Sequence, residues 1–220
     1  MTRRRYERIL GVLSKRQPDL TILAESVHKP HNLSAMLRSC DAVGIGRVLA
    51  LNPTGGIPTY NDTSGSAEKW VALEVHPALE PALGAVRAEG MQVLAAHLSP
   101  QARDYRDVDY TRPSCIIFGN EKQGVSAAAA AAADEHIVIP MLGMVQSLNV
   151  SVATAVILFE AQRQRRTAGL YDGPRLPPEE LRRSAFRFLH PRQALALEAS
   201  GEPFPELDED GSILHGRAQP

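Results

Sequence analysis

Short apolar runs of strand length alternate with helix-like segments through most of this chain. The apolar runs lie at residues 20–25, 47–51, 71–75, 92–96, 114–118 and 137–139. The helical patterns lie at residues 32–43, 77–89, 126–133 and 147–166. Strands that alternate with helices build a parallel sheet with helices on both faces. The sequence therefore predicts an α/β fold, preceded by a basic amphipathic helix at residues 3–16.

Residues 139–165 join the last predicted strand to the longest predicted helix. Pro140 ends the strand because it has no N–H for the ladder, and Gly143 predicts a tight, glycine-dependent turn. The helix is predicted to begin at Ser147 and to be apolar on two faces, so we expect its own sheet and a partner subunit to bury it. Its polar first turn fits a helix cap and a ligand site equally well.

Polar loops follow the carboxyl ends of three predicted strands. They cover residues 26–32, 119–124 and 140–147. Ligands of parallel sheets bind beyond the carboxyl ends of the strands. Topology alone therefore makes these three loops the candidate site.

Basic side chains are clustered although the net charge is only −1. Residues 1–16 carry six of them, and further clusters lie at residues 163–166 and 182–192. Residues 202–210 carry five acids and are predicted to be loosely ordered. This pattern fits a nucleic-acid binder with an acidic tail, although any single cluster is more typical of a solvated helix face.

Several kinds of site and location are disfavoured. Two cysteines, Cys40 and Cys115, are too few for a disulfide framework, and the scattered histidines predict no metal site. The first strand is followed by ESVHKPHN rather than by G-x-G-x-x-G, and GNEKQG lacks the G-K-[ST] of a P-loop. No signal peptide and no apolar run of membrane-spanning length are seen, which predicts a cytoplasmic protein without membrane association.

Three segments together carry a resemblance to a known family. They are HNLSAMLRSCDAVG (31–44), FGNEKQG (118–124) and IPMLGMVQSLNVSVA (139–153). They match N-x-x-A-x-x-R, F-G-x-E-x-x-G and I-P-M-x-G-x-x-x-S-L-N-V-S-V-A in order, and the likeness runs from Tyr6 to Asp172. The chain therefore resembles the TrmH branch of the SPOUT RNA 2′-O-methyltransferases.

This resemblance implies a sheet whose C-terminal part is tied in a trefoil knot, and transfer of a methyl group from S-adenosylmethionine (AdoMet). The expected substrate is the ribose 2′-hydroxyl of guanosine 18 in the D-loop of tRNA. The loops after three strands would hold the cofactor, largely through backbone atoms. The residues expected there are Ala96, Gly119, Ile139, Met141, Gly143 and Leu148.

The resemblance also implies roles for particular side chains. It places Arg38 at the centre as a general base assisted by a substrate phosphate. A guanidinium is almost never deprotonated, so we favour an Arg38 that orients the hydroxyl and stabilises the developing alkoxide; an ion pair with Asp41 is the structural alternative. The expected supporting residues are Asn32, Glu121, Ser147 and Asn149, and the expected tRNA-binding residues are Arg8, Arg163 and Arg165.

The family implication extends to assembly and to domain organisation. A homodimer built on the long helix is expected, with residues 1–18 as a basic helix, 19–168 as the methyltransferase domain and 169–220 as a helical and acidic extension. Two alternatives stay open at this stage. One is a 2′-O-methyltransferase for ribosomal RNA or another tRNA nucleotide, and the other is a non-catalytic RNA-binding protein with the same fold.

Overall fold

The computed structural model describes residues 2–27, 29–51, 67–120 and 123–214. The chain divides into two compact units, of which one comprises residues 17–170. The other unit consists of the N-terminal residues up to Arg16 and the C-terminal residues from Tyr171 onward. The predicted site residue Glu121 lies outside the described residues.

The larger unit is built on a seven-stranded sheet in the order β3-β2-β1-β6-β4-β7-β5, and every neighbouring pair is parallel. The strands are β1 (Leu20–Glu25), β2 (Arg47–Leu51), β3 (Ala72–His76), β4 (Gln92–Ala96), β5 (Arg103–Asp104), β6 (Ser114–Phe118) and β7 (Glu135–Val138). The predicted α/β fold with a parallel sheet is confirmed. The edge strand β5 is only two residues long and polar, so the apolar pattern of the sequence did not predict it.

Seven helices are described in the chain. They are α1 (Arg3–Leu13), α2 (Pro30–Ala42), α3 (Leu79–Ala88), α4 (Ala127–Ala132), α5 (Val150–Thr167), α6 (Pro178–Leu189) and α7 (Pro191–Ser200). Alternate strand residues enter two separate cores: Ile22 packs with α2 and α5, whereas its neighbour Leu23 packs with α3 and α4. The period of two along a strand thus places helices on both faces of the sheet.

The start of α5 differs from the prediction. The helix begins at Val150, and its N-cap is Asn149, whose side chain accepts a hydrogen bond from the Ser151 N–H at 2.9 Å. Ser147 is therefore not the cap residue. Gly143 does not adopt a positive φ, and a Cβ built on it meets no atom within 4 Å, so the predicted need for glycine in this turn is wrong.

Only one of the two apolar faces of α5 is buried in the chain. Val150, Ile157 and Ala161 lie in the core, whereas the side chains of Val152 and Phe159 are 48% and 49% exposed. A partner subunit was expected to cover one of the two faces, and the face that carries Val152 and Phe159 is the one left exposed in the chain.

The smaller unit packs α1 against α6 around Ile9, Leu13, Ala185 and Leu189. The acidic segment was predicted to be loosely ordered, but its described part forms a turn closed by a bridge between Leu207 and Ile213. Asp208 fixes this turn because its carboxylate accepts hydrogen bonds from two backbone N–H groups.

Candidate active site

A cleft of about 610 Å³ opens at the carboxyl ends of the adjacent strands β6, β4 and β7. This volume lies in the range of roughly 300–1,000 Å³ that is usual for small-molecule sites. Described residues of three loops form its walls, at 96–98, at 118–120 with 123–124, and within 137–150. The cleft therefore lies where the topology of a parallel sheet predicts a ligand.

The predicted cofactor residues assemble at this cleft with one exception. Those that line it are Ala96, Gly119, Ile139, Met141 and Leu148. Gly143 is not among the lining residues and belongs to the exposed part of the 140–147 loop. Two of the predicted catalytic residues, Ser147 and Asn149, also line the cleft, whereas Asn32 and Arg38 do not.

The chemistry of the walls fits a nucleoside cofactor. Apolar side chains such as Leu98 and Ile139 are interspersed with amides and exposed backbone, and the described lining residues include no carboxylate. These described residues could hold a ligand such as AdoMet by backbone hydrogen bonds and apolar contact. Lys29 is the one fully charged side chain among these lining residues.

Gly119 is required by the backbone of its own loop. A Cβ at this position would lie 2.0 Å from the Gly124 carbonyl carbon, a separation that no real structure tolerates. The loop is closed there by two backbone hydrogen bonds, Asn120 N–H to Gly124 O at 3.0 Å and Gly124 N–H to Asn120 O at 2.8 Å. Gly124 has a φ of +70°, a second backbone feature that favours glycine.

Asn32 and Asn149 connect the starts of α2 and α5 beside the cleft. The Asn149 Nδ2 donates to Asn32 Oδ1 at 3.2 Å, while Asn149 Oδ1 accepts from the N–H of Ser151. Asn32 is 8% exposed and lies within α2, whose N-cap position is Lys29. Asn32 is therefore not the helix cap, and its buried amide fixes the side chain of Asn149.

Arg38 and Ser147 are free to meet a ligand. The side chain of Arg38 is exposed on α2 and has no hydrogen bond or ion pair among the described residues, including none with Asp41. Ser147 is likewise exposed, and its hydroxyl has no partner in the described part of the chain. An unpaired guanidinium can take up a phosphate through two parallel hydrogen bonds.

Arg165 does not bind tRNA, and this prediction is wrong. Its side chain is 0% exposed, and its five N–H donors are matched by five hydrogen bonds. The acceptors are the Asp19 carboxylate at 2.7 Å, the Gln17 amide and the carbonyls of Tyr110, Asp19 and Arg112. Arg165 is thus a structural residue of the larger unit, with no donor left for a phosphate.

Arg163 and Arg8 are both exposed, as tRNA-binding side chains must be. The guanidinium of Arg163 is bound to Glu160 at 2.7 and 2.8 Å, and this hydrogen-bonded contact lowers the pKa of the Glu160 carboxyl. A surface pair of this kind is weak enough for a phosphate to replace the carboxylate.

Three side chains that matter to the site were not singled out from the sequence. Glu25 and Asn120 hold the 119–126 loop, and His136 Nδ1 shares a hydrogen bond with Ser99 Oγ behind the loop after β4. Glu25 is the last residue of a buried strand, and Asn120 lies in the GNEKQG motif that follows another strand. A polar residue at the end of a strand is the feature of the sequence that could have predicted both. His136 gave no such signal, since it lies within the strand pattern itself.

The described residues contain no group of three or more His, Cys, Asp or Glu placed to hold a metal ion. No helix in the described part of the chain has the length and apolar character needed to cross a membrane. Burial raises the pKa of the Cys115 thiol to about 12, so this cysteine is an unreactive core residue.

Comparison with known proteins gives consistent matches. The model of the SpoU rRNA Methylase family matches residues 19–159, and that of the SpoU rRNA methylase C-terminal region matches residues 163–216. A tRNA (guanosine(18)-2′-O)-methyltransferase of Thermus thermophilus is 63% identical over 81% of this chain and 92% of its own length. A protein of the same name from Escherichia coli is 46% identical over 95% of this chain and 92% of its own length.

Solved structures agree with these sequence matches. The TrmH/SpoU tRNA modifying enzyme of A. aeolicus superimposes with a TM-score of 0.81 at 41% identity, covering 86% of this chain and 96% of that one. An AdoMet-bound rRNA methyltransferase from Sinorhizobium meliloti gives a TM-score of 0.60 at 30% identity, covering 70% of this chain and 59% of that one.

Proposed function

We propose that this chain, which belongs to the SpoU methylase family, methylates the ribose 2′-hydroxyl of guanosine 18 in the D-loop of tRNA with AdoMet as the methyl donor. Membership implies the trefoil knot of this fold family in the C-terminal half of the sheet. The observation that carries the proposal is the cleft, where two of the three motif loops meet at the ends of β6, β4 and β7.

The cofactor is proposed to lie in this cleft. AdoMet supplies an electrophilic methyl group on a sulfonium. The residues that would hold it are Ala96, Gly119, Ile139, Met141 and Leu148. Apolar walls and backbone groups of this kind exclude water from the reacting atoms, which strengthens every electrostatic contact in the site.

The protein must make a ribose hydroxyl nucleophilic, because the neutral hydroxyl attacks poorly. We assign Arg38 the task of holding the neighbouring phosphate and stabilising the developing alkoxide, since its exposed guanidinium has no partner among the described residues. Its charge is permanent, so it acts through orientation and electrostatics. Asn149, fixed by Asn32, and the free hydroxyl of Ser147 would position the substrate beside it. Glu121 is proposed as a further supporting residue from its place in the motif.

Binding of tRNA is proposed to use the exposed arginines Arg8 and Arg163. Contacts between arginine and phosphate supply most of the affinity for nucleic acid and weaken with salt. The proposed location of the protein is the cytoplasm, where tRNA is available.

A homodimer is proposed to cover the exposed apolar face of the larger unit. Val152 and Phe159 on α5 are about half exposed, and Leu142 and Met144 on the preceding loop are fully exposed. A second copy of the chain would bury these side chains, because a two-fold interface packs the same surface patch of both subunits together. A monomeric mass in light scattering at micromolar concentration would contradict this assembly.

A ribosomal RNA substrate is the rival that the family description itself favours. The two relatives that are 63% and 46% identical are both named tRNA (guanosine(18)-2′-O)-methyltransferase, and this observation favours tRNA as the substrate. The test is incubation of the protein with labelled AdoMet and either unmodified tRNA or ribosomal RNA, followed by nucleotide mapping. Label in tRNA supports the proposal, and label in ribosomal RNA alone contradicts it. Absence of AdoMet binding in calorimetry would favour the non-catalytic RNA-binding alternative.

A further inference from the structure

A buried carboxylate lies behind the cleft without lining it. Glu25 is the last residue of β1 and is 8% exposed. Its Oε2 accepts from the Ser126 N–H at 2.9 Å, and its Oε1 accepts from the Ser126 hydroxyl at 2.6 Å. A carboxylate this deeply buried is retained only where such charge-assisted hydrogen bonds replace water.

The residue that follows is held in an uncommon conformation. Ser26 has a φ of +54° and is the one non-glycine residue with a positive φ among those described. Its carbonyl accepts a hydrogen bond from Asn120 Nδ2 at 3.0 Å. A left-handed serine persists only where the surroundings fix it, and here the fixing contact comes from the cleft loop.

The 119–126 loop is therefore tied to the end of β1 at two points. Asn120 binds Ser26 near its beginning and Ser126 binds Glu25 at its end, while the Asn120–Gly124 hydrogen bonds close the loop between them. Ser126 also caps α4, since its Oγ accepts from the Ala129 N–H at 3.1 Å. Four residues of this tied loop line the cleft: Gly119, Asn120, Gln123 and Gly124.

We propose that Glu25 is a positioning residue for the cofactor, which it never touches: its carboxylate holds the 119–126 loop at the distance from β1 that shapes the cleft. This inference rests on the proposed function, since it takes AdoMet as the ligand of the cleft. Loss of the tie frees the wall of the cleft while the sheet below it stays intact.

The test is the substitution Glu25→Gln, which keeps the shape of the side chain. The amide oxygen can still accept from the Ser126 N–H, but the amide nitrogen can no longer accept from the Ser126 hydroxyl. That second contact survives only if the hydroxyl turns to accept from the amide, and it then lacks the charge of the carboxylate. The matched control is Glu89→Gln. Glu89 also accepts two hydrogen bonds, from Arg47 at 2.8 and 2.6 Å, and does not line the cleft.

Calorimetry with AdoMet and no RNA gives the first readout. We expect Glu25→Gln to weaken AdoMet binding by about tenfold, the change that the loss of one charge-assisted hydrogen bond brings. Glu89→Gln should bind AdoMet as the unsubstituted chain does. In methyl-transfer assays the KM for AdoMet should rise in Glu25→Gln while the KM for tRNA stays unchanged, a split that mere loss of stability would not produce.

A folded Glu25→Gln variant with unchanged AdoMet affinity would overturn the proposal. Should that variant fail to fold, Ser126→Ala removes the hydroxyl that donates to Glu25 and caps α4, keeps the backbone N–H contact, and must weaken AdoMet binding in the same direction. Unchanged affinity there would also overturn the proposal. The proposed function fails in a different way, because the unsubstituted chain would then not bind AdoMet at all.

Discussion

Arg165→Met is the substitution that most sharply separates structure from RNA binding in α5. Methionine keeps an unbranched apolar stem but removes the charge of the side chain and all five donors. The Asp19 carboxylate, the Gln17 amide and three backbone carbonyls each lose this partner. Removing one member of a buried ion pair costs about 3–5 kcal/mol, because the remaining charge stays desolvated.

The magnitude is large for a protein whose whole stability is about 5–15 kcal/mol. In urea, where the free energy of unfolding falls by about 1–3 kcal/mol per molar, the midpoint of Arg165→Met should drop by at least about 1 M. The matched control is Arg163→Met, two residues away. Its guanidinium is 65% exposed and pairs only with Glu160, so its loss should cost about 0–1 kcal/mol.

Circular dichroism in a urea series measures both midpoints, and filter binding at fixed salt measures tRNA affinity. Arg163→Met should weaken tRNA binding with its unfolding midpoint nearly unchanged. Arg165→Met should lower the unfolding midpoint and leave tRNA affinity nearly unchanged at temperatures where the variant is folded. An Arg165→Met variant with the parental midpoint and reduced tRNA affinity would refute the structural role.

Three further substitutions test the site and the core. Arg38→Ala should abolish methyl transfer and leave AdoMet affinity in calorimetry near its parental value; lost affinity would instead place Arg38 in the cofactor site. Gly119→Ala should lower the thermal midpoint and AdoMet affinity together, because its Cβ would lie 2.0 Å from Gly124, and an unaffected variant would contradict the close approach. The folded-state pKa of Cys115, about 12, exceeds its ordinary value of 9.0, so the unfolded chain ionises first. The free energy of unfolding should therefore fall between pH 9 and 12, by about 1.4 kcal/mol per pH unit from this group, and Cys115→Ala should show a shallower fall in denaturant titrations at pH 8 and 10.

The sheet could be predicted from the sequence because each strand is marked by a short run of neighbouring residues. Runs such as LTILAE and SCIIF are apolar on both faces, and each is bounded by turn residues, so their number and their parallel arrangement follow from period and spacing. The motif loops lie at strand ends for the same reason. The lateral order β3-β2-β1-β6-β4-β7-β5 depends on contacts between distant segments, which periodicity does not encode.

Arg163 and Arg165 show where composition misleads. Both belong to one basic cluster, yet two residues turn an α-helix by about 200°, so they point to opposite faces. Arg165 lies on the same face of α5 as the buried residues Val150, Ile157 and Ala161. This helical spacing could have predicted that Arg165 is buried. Its partner Asp19 lies 146 residues away in sequence, so the ion pair itself could not be predicted.

The helix cap shows a second limit. Ser147 and Asn149 are both favourable N-cap residues within one turn, and the sequence offers no basis for choosing between them. The choice is made by Asn32, whose buried amide binds Asn149 from α2. Ser147 is consequently left with a free hydroxyl at the edge of the cleft, where it is available to a substrate.

The central claim is that the ribose 2′-hydroxyl of guanosine 18 is the acceptor of the methyl group. A tRNA in which only nucleotide 18 is replaced by 2′-deoxyguanosine tests this most directly, because the base, the phosphates and the fold of the D-loop are kept. With labelled AdoMet, the all-ribose tRNA should become labelled at nucleotide 18 and the deoxy-substituted tRNA should not. Equal labelling of the two tRNAs would contradict the proposed function.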